Sequence, residues 1–172
     1  MRATPLAVTA LAATFLLTAC GSDKGGDGGD SGKDGDACRI GSLGVEVGPA
    51  GVAPAAGDTG DVPVSLTNQS GPCTLNGFAG IALHAGNESA TVAPTDGAKS
   101  EKLTLAKGDS LTFTVTYVRG GAAGAKSLAV KTLHISMPGA DDEQTFPWSY
   151  GPVALKGSEP DASVGPFTHA GD

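Results

Sequence analysis

Ser110-Leu111-Thr112-Phe113-Thr114-Val115-Thr116-Tyr117-Val118 alternates large apolar side chains with threonine along its length. In an extended strand successive side chains point to opposite faces. This spacing therefore puts Leu111, Phe113, Val115 and Tyr117 on one face and Thr112, Thr114 and Thr116 on the other. A strand written this way buries one face and wets the other. The same period appears on either side of it. Val62, Val64 and Leu66 alternate with Pro63, Ser65 and Thr67, and Leu133, Ile135 and Met137 alternate with Thr132, His134 and Ser136. No stretch beyond residue 20 sustains a 3.6-residue period. Gly57-Asp58-Thr59-Gly60, Gly71-Pro72, Asn76-Gly77, Lys107-Gly108-Asp109, Gly120-Gly121 and Pro138-Gly139 punctuate the runs as turns. The pattern predicts strands near 38–47, 61–68, 73–84, 88–93, 101–105, 109–118, 127–137 and 143–155. Seven or eight short strands of this kind specify an all-β chain, an antiparallel β-sandwich of two sheets over 38–155. Residues 156–172 read as a C-terminal tail.

Composition agrees with that class. Of 172 residues 40% are apolar, enough for a core, while 27 are glycine and only 5% of the chain is aromatic. The formal net charge is −7, with no basic stripe. Nucleic acid is therefore excluded as a partner, because neutralising phosphates supplies most of that affinity. Attraction to anionic lipid by charge is excluded for the same reason.

Ahead of the strands stand two segments of different character. Residues 1–19 carry one charged side chain, Arg2, followed by an apolar run from Leu6 to Leu17. That run is shorter than the roughly 20 residues needed to span a bilayer, and it suits a signal peptide. It ends in Leu17-Thr18-Ala19-Cys20, which resembles the lipobox of bacterial lipoproteins. The resemblance implies cleavage before Cys20 and diacylglycerol on its sulfur. Two or more acyl chains hold a protein at a membrane stably where one does so only marginally. Residues 21–37, GSDKGGDGGDSGKDGDA, hold seven Gly and five Asp and no large apolar side chain. Such a stretch cannot offset its ordering entropy and is expected to be a disordered tether. Its aspartates do not meet the spacing of a calcium-binding loop.

With lipid on Cys20, the odd cysteine count resolves. Cys38 and Cys73 remain, and outside the cytoplasm they are expected to form a disulfide. A free-thiol redox or metal pair would call for C-x-x-C spacing or a nearby His, and neither is present.

A family resemblance joins these elements. Cys38 at the opening of the domain, Leu66-Thr67-Asn68-Gln69-Ser70, and Pro72-Cys73-Thr74-Leu75-Asn76-Gly77-Phe78-Ala79-Gly80 resemble the domain of unknown function 4232. Ser110 to Val118 and Pro152-Val153 are similar to it as well. That family occurs in secreted and lipid-anchored proteins of high-GC Gram-positive bacteria. The resemblance implies an immunoglobulin-like sandwich in a cell-envelope setting, and it brings no catalytic residues with it.

The chemistry-bearing side chains support little beyond this. Gly108-Asp109-Ser110-Leu111 spells the motif of GDSL hydrolases, but it opens a strand. The late histidine, His169, follows Pro166-Phe167-Thr168 and lacks the aspartate three residues before it. A serine without a placed base is a weak nucleophile. His84 and His134 fall on solvent faces by parity, and Asp141-Asp142-Glu143 reads as a polar loop. Phe146, Trp148 and Tyr150 share one face at period two. They are expected in the core, with an exposed binding surface as the alternative. The sequence therefore points to a lipid-anchored protein on the extracytoplasmic face of the cell membrane. It is expected to be a non-catalytic binding or structural module for an envelope protein or glycan, with no cofactor. The alternatives are a GDSL-like serine hydrolase using Ser110 and a metal-binding envelope protein.

Overall fold

A computed structural model describes residues 37–49, 51, 53, 55–121 and 126–170. Cys20, the signal segment 1–19 and the rest of the tether, 21–36, lie outside the described residues. What is described is all-β. Fourteen strands follow one short 3₁₀ turn, Ile40–Ser42. They are β1 (Leu43–Val47), β2 (Thr59–Asn68), β3 (Cys73–Asn76), β4 (Gly80–Ala85), β5 (Glu88–Pro94), β6 (Lys102–Leu105) and β7 (Ser110–Val118). Then come β8 (Ser127–Leu128), β9 (Thr132–Ser136), β10 (Glu143–Pro147), β11 (Val153–Lys156), β12 (Glu159–Pro160), β13 (Ala162–Val164) and β14 (Thr168–His169).

The strands with the strongest alternation make the centre. β2 pairs with β7 in a register that sets Val62 against Val115, Val64 against Phe113 and Leu66 against Leu111. All six side chains are buried. Directly opposed apolar pairs of this kind each contribute about 0.2–1 kcal/mol. From this pair a long sheet runs in the order β1-β2-β7-β13-β5-β4-β9-β10, with β14 also on β7. Small sheets β12-β11-β8 and β3-β6 accompany it. The buried side chains of β2, β7, β4 and β9 belong to one core cluster, so the long sheet curves around a shared core in a sandwich or barrel-like arrangement. The turn Ile40–Ser42 touches both β1 and β10, the two ends of the long path. Ile40 is buried there.

The structure differs from the sequence-based strands in five places. The first strand begins at Leu43, because Cys38 is held by its N–H to the Thr74 carbonyl (2.9 Å) and the chain then turns through Ile40–Ser42. The run 73–84 breaks between β3 and β4, where Gly77 takes φ +129°, a conformation open to glycine. The run 127–137 breaks because β8 pairs with β11 while β9 pairs with β4 and β10. The run 143–155 breaks after Pro147. The fifth difference is the segment 156–172, set aside as a tail, which carries β12 to β14. β13 lies between β7, antiparallel, and β5, parallel, and Val164 and Phe167 are buried. Strands of two or three residues are too short to show a period, and a parallel pairing departs from the all-antiparallel expectation.

Two local devices explain residues that the pattern alone does not. Gly60 stands opposite Tyr117, and a Cβ there would lie 2.6 Å from the Tyr117 ring, so only glycine fits. Asn68, at the end of β2, is a buried polar side chain with every atom engaged. Its Nδ2 donates to the carbonyls of Gly71 (2.9 Å), Leu105 (3.2 Å) and Ala106 (3.2 Å). Its Oδ1 accepts from the N–H of Ser70 (3.1 Å). Asn68 thereby ties the turn after β2 to the turn before β7. Asn68→Ala would leave the buried Leu105 carbonyl without this donor. It should cost about 2–3 kcal/mol, read from the urea unfolding midpoint. A loss below about 0.5 kcal/mol, the scale of an ordinary surface substitution, would show that the turns hold each other without it.

Candidate functional site

Cys38 and Cys73 are joined, with Cα atoms 4.9 Å apart. The bridge fastens the start of the domain to β3.

The three aromatic residues do not form a platform. β10 ends at Pro147, so Phe146 alone of the three is in a strand, opposite Leu133 on β9. Trp148 is buried, and its Nε1–H donates to the Gly151 carbonyl (2.6 Å). Its ring meets Tyr117 edge-on at 5.1 Å and Tyr150 at 4.8 Å. The Tyr117 hydroxyl donates to the Tyr150 carbonyl, and the Tyr150 hydroxyl to the Gly48 carbonyl, both at 3.0 Å. The last bond has a covalent origin. Gly48 N–H donates to the Pro63 carbonyl (2.8 Å), and the return bond of that pair would come from the nitrogen of Pro63, which bears no hydrogen. Tyr150 supplies the missing donor. Burial, and secondarily the neighbouring Tyr117, raise the Tyr150 hydroxyl above its ordinary pKa. It therefore holds its proton more tightly folded than unfolded. That contribution is complete below the ordinary tyrosine range and is lost as pH climbs through the raised value.

Ser110 opens β7, where its Oγ lies 2.9 Å from Thr67 Oγ1. His169 sits on β14 opposite Leu111. The structure brings no histidine to the Ser110 hydroxyl among the described residues.

The two other histidines, expected as separate solvated side chains, meet on the outer face of β4 and β9. The register sets Ala82 against His134 and His84 against Thr132, so the histidines are diagonal neighbours. Their rings stack with centroids 3.8 Å apart and 19° between planes. His134 Nδ1 lies 2.7 Å from Glu143 Oε1, and its Nε2 lies 3.2 Å from Thr132 Oγ1. Glu143 is thus a partner of His134 at the start of β10, not a member of a free polar loop. Parity placed both histidines outward. Their meeting depends on the adjacency of β4 and β9, which no local pattern reveals. Among the described residues no three His, Cys, Asp or Glu side chains converge as a metal cage.

A groove of about 660 Å³ lies where β13 bridges β7 and β5. Thr91, Thr95, Thr116 and Ser163 line it together with Asp96 and Asp161. Two internal bonds order its hydroxyls, Thr95 to Ser163 (3.0 Å) and Thr116 to Asp61 (2.7 Å). One wall comes from the segment read as a tail, whose strands are too short to show a period.

Residues 38–168 match the family model of a domain of unknown function, DUF4232. No curated protein matches the chain. No solved structure matches it either.

Proposed function

The chain belongs to the DUF4232 family, and on that premise we propose that it is an extracytoplasmic lipoprotein, held at the cell membrane by acyl chains on Cys20. Its domain serves there as a non-catalytic binding or structural module toward an envelope protein or glycan. The observation that carries the anchoring is the ending Leu17-Thr18-Ala19-Cys20 of the apolar segment, followed by a Gly- and Asp-rich stretch and then by the domain. The Cys38–Cys73 bridge supports an oxidising compartment, where such bonds persist. The groove where β13 bridges β7 and β5 supports the binding role. Hydroxyls both donate and accept, so its lining suits the hydroxyls of a glycan or the backbone of a peptide.

Metabolic labelling tests the anchor. Radiolabelled palmitate should enter the parent protein, which should fractionate with membranes. Cys20→Ala should take up no label and be released or left unprocessed. Equal labelling of the variant would overturn the assignment.

A further inference from the structure

We propose that His84 and His134 form a two-histidine site for a borderline divalent transition-metal ion, of the zinc or nickel type, on the outer face of β4 and β9. The argument begins with the proton on His134. A carboxylate only accepts, so the 2.7 Å contact with Glu143 puts the hydrogen on Nδ1. In the neutral ring Nε2 then carries the lone pair, and that nitrogen faces Thr132 Oγ1. A metal-binding histidine is ordinarily prepared in this way. Its far nitrogen donates to a carboxylate, which fixes the tautomer and orientation and raises the basicity of the near one.

The second imidazole lies against the face of the first, with the ring centroids 3.8 Å apart. Thr132, toward which the Nε2 lone pair points, is the direct cross-strand neighbour of His84, so that nitrogen and the second imidazole share one patch of the sheet face. His84 has no side-chain hydrogen bond among the described residues, and its ring is stacked on that of His134. Parallel rings do not converge on one ion. A turn of the untethered His84 brings one of its nitrogens to the ion, while Glu143 keeps His134 in place. Imidazole nitrogens bind zinc at about 2.0–2.1 Å, and zinc favours four ligands. Two come from the histidines, and water fills the rest. The acidic balance of the protein, −7, favours a cation at its surface. This site is independent of the groove and of the lipid anchor.

The test is calorimetric titration of the metal-free protein with Zn²⁺ and with Ni²⁺ at neutral pH, with histidine ring resonances followed in parallel. One equivalent should bind and shift the signals of His84 and His134. His84→Asn and His134→Asn should each weaken binding at least tenfold. Glu143→Gln should weaken it by roughly 10–100-fold, the usual effect of removing a partner behind a ligand. His169→Asn, on β14, should leave affinity unchanged. Unaltered affinity in the His84→Asn/His134→Asn double variant would overturn the proposal, since the ion would then sit elsewhere. Absence of binding in the parent would overturn it as well. The unfolding midpoint of each variant, measured without metal, separates loss of a ligand from loss of the fold.

Discussion

Trp148→Ala is expected to cost about 3–5 kcal/mol of folding stability, the range for removing a buried large aromatic side chain. Trp148 is 6% exposed, and its ring is enclosed edge-on by Tyr117 and Tyr150. The substitution removes the packing of both rings and the bond from Nε1 to the Gly151 carbonyl. It also loosens Tyr150, whose hydroxyl completes the Gly48–Pro63 pair beside β1. Effects at four places from one side chain are the reason for the upper half of the range. A domain of this size has a total stability of about 5–15 kcal/mol, so the variant should unfold at markedly lower urea. Trp148→Phe keeps most of the packing and loses the hydrogen bond, and should cost less. Fluorescence of the parent gives an independent reading, because Trp148 is the sole tryptophan. Emission should be blue-shifted and resist acrylamide. Red-shifted, easily quenched emission with a cost below about 1 kcal/mol would place the ring on the surface instead.

The same residues show where a period-two reading works and where it misleads. Leu111 to Tyr117 and Val62 to Leu66 alternate because each strand has one face on the core and one in water, and the bounds expected for β2 and β7 fall within two residues of those observed. Phe146, Trp148 and Tyr150 have the same spacing for another reason. Pro147 ends the strand, Gly151 takes φ +90°, and Trp148 and Tyr150 reach the core from a loop. The breakers were visible in the sequence, but the alternation outweighed them. The groove and the histidine pair were hidden for a deeper reason. Each exists because strands distant in sequence are adjacent in space: β13 beside β5, and β4 beside β9. Side-chain parity tells which face a residue takes, not which strand lies next to it.

Removing the Cys38–Cys73 bridge should destabilise the protein by roughly 3.8 kcal/mol. That is the chain-entropy value for a closed loop with the sequence separation of 35 found here. The figure measures how much the cross-link restricts the unfolded chain, and local geometry decides how it is felt in the folded one. β1 is the end strand of the long sheet, and among the described residues it pairs only with β2. Ahead of it, the start of the domain is otherwise held by the Cys38 N–H bond to Thr74, by the Gln69 N–H bond to the Ser42 carbonyl (3.1 Å) and by the burial of Ile40. Once the covalent link is gone, β1 should open before β2 and β7, whose mutual register is longer and fully buried on its inner face. Alanine is the proper replacement at both positions, because both are buried and a serine hydroxyl would add the cost of an unpaired polar group. Cys38→Ala with Cys73→Ala should therefore lower the unfolding midpoint and leave a β-rich far-ultraviolet spectrum. Amide exchange should accelerate first in Leu43–Val47. Free-thiol titration of the untreated, denatured parent should find neither cysteine reactive. Two reactive thiols there, or a double variant as stable as the parent, would show that the bridge does not hold this end of the domain.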